Sequence, residues 1–306
     1  MRFRRLANMT GRMQLDLGTF LLQWAAGGML FGWVTTRGRL VSLGYGWLLR
    51  AVYGLMAIGA VIVWLRGDLD GTRIASVLGA VVTALLASWG IILSVLRRKV
   101  GVSGRHELDA MRQERVASMP GVQGVPRSRQ NKSDLETETV PREFPPGFDL
   151  AAAMAGFATL LIATPISGGS YWVSAIRLVL GAALLGSVSD AMLLGHWYLT
   201  QPGLPRTPLQ ELVKFTAIMT PLAAATWIIP TGIVQVFTGE INDGFSGLLG
   251  WVWVVCVVST IGLVGATWLA LKERSYSAVM AATGLLYLAI LTAFGVDLVS
   301  RAVIAP

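Results

Sequence analysis

The chain has 306 residues, of which 54% are apolar and only 14% are charged. A soluble domain usually carries about 25% charged residues, so the composition excludes an ordinary soluble protein and predicts a membrane protein. The net charge of +8 would suit nucleic-acid binding in a soluble chain, but in a membrane protein basic residues collect in cytoplasmic loops. Because no stretch alternates aromatic and basic residues, we expect no nucleic-acid partner.

Eight apolar segments are long enough to cross the core of a bilayer, which takes about 20 residues. They predict an all-α fold, a polytopic transmembrane helical bundle of about eight helices, with seven as the alternative. We call these segments spans 1 to 8. Their approximate ranges are 17–34, 46–65, 74–96, 148–164, 171–200, 209–237, 248–271 and 277–299.

A long polar segment separates span 3 from span 4. It opens with Arg97-Arg98-Lys99, and five prolines follow between positions 120 and 147. This composition is typical of a flexible linker. We therefore divide the chain into an N-terminal membrane lobe (1–96, three spans), a polar linker (97–147) and a C-terminal membrane lobe (148–306, five spans).

The distribution of basic residues predicts the orientation. The loops on the linker's side of the membrane carry more than twice as many basic residues as the loops on the other side. The positive-inside rule then places residues 97–147 in the cytoplasm and both termini outside. The basic N-terminus disagrees with this orientation, and a re-entrant span 1, leaving seven crossings, would remove the conflict. We expect an integral protein of a bacterial cytoplasmic membrane.

The ionisable residues within the spans predict structural ion pairs. Arg177 and Asp190, both in span 5, are 13 positions apart, or roughly 20 Å along a helix, and cannot pair with each other. At the predicted depths, Arg177 lies level with Asp297 near the outer side. Asp190 lies level with Lys214 and Arg50 near the inner side. We predict the pairs Arg177–Asp297 and Asp190 with either Lys214 or Arg50. A proton relay through Asp190 is an alternative, although no further acid or histidine lies near it in sequence.

Three aromatic or amphipathic side chains end span 5: His196, Trp197 and Tyr198. Such side chains anchor a helix end at the membrane interface, and they are also candidates to bind an amphipathic ligand such as a quinone or a lipid. A haem site is the weaker alternative, because the other histidine, His106, lies in the polar linker. Met192 or Met219 would then have to serve as the second haem ligand.

Span 6 contains two prolines, Pro221 and Pro230, which predict at least one kink. Interrupted helices often line substrate sites in transporters. Four threonines of span 6 could satisfy the carbonyls that the prolines free: Thr216, Thr220, Thr226 and Thr231.

The chain contains no recognisable catalytic motif, zinc-ligand spacing or nucleotide-binding loop. We therefore predict an accessory or anchoring subunit of a larger membrane assembly, such as an electron-transfer complex, without catalytic activity of its own. Its partners would be the lipid bilayer and other membrane subunits, with the region from Asp190 to Arg206 as the contact or ligand site. Small-residue faces such as Ala182-x-x-x-Gly186 and Ala191-x-x-x-Gly195 would mediate packing. The alternatives are a secondary transporter of a small solute, using span 6 and Asp190, and a haem-binding electron carrier.

Overall fold

The computed structural model describes residues 16–38, 40–96, 146–201, 204–228, 232–241, 244–273 and 275–304. Within these ranges the regular structure is entirely helical. The helices are α1 (Leu17–Thr36), α2 (Leu43–Leu65), α3 (Gly71–Leu96), α4 (Gly147–Ala163), α5 (Tyr171–Thr200), α6 (Thr207–Ile228), α7 (Ile233–Phe237), α8 (Leu248–Ala270) and α9 (Tyr276–Ile304). A short 3₁₀ turn, Thr164–Ser167, continues α4.

Seven of these helices are long and apolar enough to cross a membrane, which confirms the predicted fold class. The chain is therefore a membrane-embedded protein that contacts lipid. The long helix outside this set is α6, whose first two turns carry Glu211 and Lys214. Span 1, the predicted candidate for a re-entrant segment, instead forms the 20-residue helix α1.

The long helices pack as two groups of four. In the first group α1 contacts α2 and α4, and α3 closes the square between α2 and α4. In the second group α5 contacts α6 and α9, and α8 lies between α6 and α9. The division of the chain into lobes at the polar segment stays a prediction, and residues 97–145 of that segment lie outside the described ranges. Among the described helices, α4 packs with the helices that precede the segment.

Helices α1 and α5 join the two groups along a glycine-rich contact, which we call the α1–α5 seam (Gly27, Ala182 and Gly186). A Cβ atom placed on Gly27 would lie 1.8 Å from the Ala182 carbonyl oxygen, and one on Gly186 would lie 2.1 Å from the Gly27 carbonyl carbon. Close approach of backbones through small residues is how helices associate in lipid. The predicted small-residue face at Ala182 and Gly186 is thus covered by α1 of the same chain. Gly195 of the second predicted face packs against Thr283 of α9.

Contacts between loops and helix ends define two ends of the bundle. At the end we call the linker end, Trp47 donates to Ser94, Trp197 donates to Ser42, and Arg206 donates to the Ser275 carbonyl. At the far end, Asp16 accepts from the backbone N–H of Thr19 at 2.7 Å and from the indole of Trp64 at 2.9 Å. The Asp16 side chain therefore caps α1 and ties it to the last turn of α2.

Candidate functional site

A buried ion pair joins α2 to α4 at the linker end. Arg50 Nε lies 2.6 Å from Asp149 Oδ1, and Arg50 Nη2 lies 2.7 Å from Asp149 Oδ2. The residues are only 6% and 7% exposed, respectively. Thr36 Oγ1, in the last turn of α1, donates to Asp149 Oδ2 at 3.1 Å. Gly90 of α3 leaves room for the guanidinium, since a Cβ atom there would lie 3.2 Å from Arg50 Cδ.

A narrow cleft with a volume of about 10 Å³ lies inside the first group of helices, beside this ion pair. We call it the linker-end cleft. Its polar wall consists of Thr36, Arg50, Tyr53 and Asp149, and its apolar wall includes Met29, Leu49, Ala87 and Ala152. A mainly apolar pocket with a few placed polar groups is the usual form of a small-molecule site.

Asp190 lies behind the cleft and bonds to two tyrosines of α2. Its side chain is fully buried. The Tyr53 hydroxyl donates to Asp190 Oδ1, and the Tyr45 hydroxyl donates to the Asp190 backbone carbonyl at 3.2 Å. The other carboxylate oxygen, Oδ2, has no hydrogen-bond partner among the described residues. Tyr53 thus belongs both to the cleft wall and to the hydrogen-bonded surroundings of Asp190.

The predicted partners of Asp190 are wrong. Arg50 pairs with Asp149, and Lys214 is exposed. The reason is the direction of packing. Arg50 points into the square formed by α1–α4, while α5 packs on the other side of α1 and reaches α2 through the two tyrosines and Trp197.

The predicted Arg177–Asp297 pair is also wrong. Asp297 Oδ2 lies 2.8 Å from Arg301 Nε, although the N–H is not aligned for a hydrogen bond. Gln23 of α1 donates to Asp297 Oδ1 at 3.2 Å and accepts from Arg301. Arg177 instead donates from Nε to the Thr226 carbonyl at 2.9 Å. Its guanidinium lies 4.5 Å above the ring of Trp227.

The three side chains at the end of span 5 point to three different partners. His196 is exposed, and its Nδ1 lies 3.2 Å from the Tyr287 hydroxyl of α9. Trp197 donates to Ser42 at 3.1 Å. Tyr198 is buried and donates to the Pro205 carbonyl. These side chains do not converge on a common pocket, because successive helical residues face about 100° apart.

Span 6 is divided between α6 and the short α7. Pro221 lies inside α6, while Pro230 and Thr231 fall outside the described residues. The hydroxyls of the other three threonines bond to carbonyls of their own helix, at Leu212, Thr216 and Ala223. The carbonyl that Pro221 leaves without its helical donor is that of Ala217, so the threonines do not perform the predicted repair.

The sequence interpretation missed five residues of these buried clusters: Gln23, Tyr45, Tyr53, Asp149 and Arg301. Only Arg301 had a usable signal, since it follows Asp297 by four positions, the spacing of a helical ion pair. The predicted span 8 ends at residue 299, whereas α9 continues to Ile304. Asp149 would have passed for an ordinary acid in the first turn of a helix.

The described residues contain no group of three or more His, Cys, Asp or Glu side chains that could hold a metal ion. His106 lies outside them, and Met192 and Met219 are partly buried beside the apolar core. No family model matches the chain, and neither the curated proteins nor the solved structures contain a match.

Proposed function

We propose that the chain is an integral membrane subunit of a larger assembly and that it holds an amphipathic, lipid-soluble ligand, such as a quinone, in the linker-end cleft. The observation that carries this proposal is the buried Arg50–Asp149 pair on the wall of a mainly apolar cleft. The proposal keeps the ligand class predicted from the sequence. It moves the ligand from the end of span 5 to the interior of α1–α4.

The chemistry of the cleft wall suits a ring that carries carbonyl or hydroxyl groups. Arg50 supplies N–H donors and Asp149 supplies an acceptor. Tyr53, whose O–H proton is donated to Asp190, supplies a second acceptor oxygen. The apolar side chains opposite them would pack against the ring and the start of an isoprenoid tail. The cleft volume of about 10 Å³ has room for about one water molecule. A quinone head group therefore binds here only where the apolar side chains of the wall move apart.

A buried ion pair also has an energetic cost that favours a functional role. Apolar residues of similar volume often give equal or greater stability than a buried pair of charges. Charged residues within membrane spans commonly mark the places where ligands or ions bind. Arg50 and Asp149 meet both conditions, since they lie within the helices and face the cleft.

The proposal is tested by extracting lipid-soluble compounds from the protein after purification in mild detergent and measuring the ratio of quinone to protein by mass spectrometry. We expect a wild-type ratio well above that of the detergent blank. Ala87→Phe places a ring into the cleft, and we expect it to lose the quinone. Ala80→Phe is the matched control, because Ala80 is also buried on α3 but does not line the cleft.

Two results would contradict this function. The first is a wild-type ratio equal to the blank, even after addition of a short-chain quinone. The second is equal retention by Ala87→Phe and Ala80→Phe. If both phenylalanine variants lose the quinone and aggregate, Asp149→Asn replaces Ala87→Phe as the test variant. Its control is Asp297→Asn, which alters the buried Asp297–Arg301 pair away from the cleft.

The assembly and its location are further parts of the proposal. Helix α8 is the least buried of the seven candidate spans, and the exposed apolar side chains Trp251, Val255 and Val258 give it a surface for lipid or a neighbouring subunit. We place the protein in a bacterial cytoplasmic membrane with residues 97–147 in the cytoplasm. Affinity purification from native membranes would identify stable partner subunits, and a visible spectrum of the same sample would reveal any haem.

A further inference from the structure

We propose that Asp190 is a proton-exchange site that is reached from the linker-end cleft through the Tyr53 hydroxyl. This inference does not depend on the ligand that the cleft holds, since water in the cleft is a sufficient proton donor. It assigns a chemical role to a carboxyl group that the proposed ligand site does not use.

The first support is the position of Tyr53. Its side chain lines the cleft, and its hydroxyl donates to Asp190 Oδ1. A hydroxyl both donates and accepts, so Tyr53 can accept a hydrogen bond from a group in the cleft while it donates to Asp190. Tyr53 is therefore a direct link between the cleft and a fully buried carboxyl group.

The second support is the free carboxylate oxygen. Asp190 Oδ2 is buried and has no hydrogen-bond partner among the residues that the structure describes. It lies beside Gly32, a residue of the cleft wall: a Cβ atom on Gly32 would be 3.7 Å from Oδ2 and 3.2 Å from Leu49 Cδ1. Because Gly32 has no side chain, no side-chain atom of this residue separates Asp190 Oδ2 from the cleft.

The third support is that no cationic side chain in the described part of the chain forms an ion pair with Asp190. The titratable side chains that bond to it are those of Tyr53 and Tyr45, both from α2. The ionisable side chains on the other helices that pack against α5 have other partners or are exposed. These are Asp16 with Trp64, Asp149 with Arg50, Glu211 with Arg37, Asp297 with Arg301, Tyr276 with the Leu199 carbonyl, Tyr287 with His196, and the exposed Lys214.

The proposed step is a proton transfer with no change of oxidation state. A hydronium ion or other acid in the cleft gives its proton to the Tyr53 oxygen as the Tyr53 O–H proton passes to Asp190 Oδ1. The carboxylate becomes a carboxylic acid, the donor becomes water or its conjugate base, and Tyr53 remains neutral. The reverse step returns the proton to the cleft.

The test is infrared spectroscopy of the full-length protein in lipid, following the carbonyl band of a protonated carboxyl group as water is exchanged for deuterium oxide. We expect a band that responds to pH and is absent in Asp190→Asn. In Tyr53→Phe we expect its exchange to slow by about a hundredfold or more, the lower end of what a positioned proton-transfer group contributes.

Tyr45→Phe is the matched control, because Tyr45 bonds to the backbone of Asp190 and is not part of the cleft wall. We expect it to exchange at the wild-type rate. If no carbonyl band disappears in Asp190→Asn at any pH at which the protein stays folded, the proton site is rejected. Equal exchange rates in Tyr53→Phe, Tyr45→Phe and wild type would reject the route through Tyr53. Should Asp190→Asn fail to fold, Asp190→Glu serves instead, and an unshifted band in that variant would overturn the assignment.

Discussion

The α1–α5 seam makes a quantitative prediction for Gly27→Ala. The new Cβ atom would lie 1.8 Å from the Ala182 carbonyl oxygen, and ordinary contact begins at 3.4 Å. The obstacle is backbone rather than a flexible side chain, so the two helices must move apart by about 1.6 Å. A gap of even 1 Å forfeits up to about half of each dispersion contact. We therefore expect a loss near the upper end for overpacked sites, about 3 kcal/mol.

Thermal unfolding in detergent, followed by tryptophan fluorescence, measures this loss. For a chain of this size, about 3 kcal/mol corresponds to a fall in melting temperature on the order of 5 °C or more. Gly262→Ala is the control, because a Cβ atom on Gly262 of α8 would meet nothing within 4 Å. Alanine is the better helix former, by about 1 kcal/mol at most, so this variant should match or slightly exceed wild type. Equal melting temperatures for Gly27→Ala and Gly262→Ala would refute the close seam.

Three further predictions concern the polar side chains. Arg301→Met leaves Asp297 buried without its cation, and we expect a loss of about 3 to 5 kcal/mol in thermal unfolding, partly recovered when Asp297→Asn is added; no recovery would contradict the pairing. Tyr53→Phe and Asp190→Asn should be non-additive by about 0.5 kcal/mol or more in a double-mutant cycle, and additive losses would exclude their hydrogen bond. His196→Phe should change stability by no more than about 0.5 kcal/mol, whereas a larger loss would be inconsistent with its exposed position.

The helices were predictable because apolar length is a local property. Span 5 was predicted at residues 171–200, and α5 has those bounds. The end of span 6 was not predictable in this way, since its apolar composition continues past Ile228 while the helix ends there. Helix α6 is also less apolar than the seven candidate spans, because polar side chains occupy its first turns.

The partners of buried charges could not be predicted because they depend on which helices are neighbours. Arg50 and Asp149 are 99 residues apart and lie on opposite sides of the polar segment. Depth alone made Asp190 an equally good partner for Arg50. The neighbour relation that decides between them, α4 closing the square with α1–α3, has no signature in hydropathy. Tyrosine donors such as Tyr53 escaped notice because a tyrosine in an apolar span resembles any other aromatic residue.

The central position of α1 has a consequence for biogenesis. Gln23 bonds to Asp297, which is 274 residues later in the chain. At about 5 to 20 residues per second, the ribosome makes these partners tens of seconds apart. The backbone at Gly27 lacks its contact with Ala182 until α5 has been made, and the amide of Gln23 lacks Asp297 and Arg301 until α9 follows. A nascent chain halted before α9 would therefore leave Gln23 without these polar partners, on the candidate span with the lowest mean hydropathy of the seven.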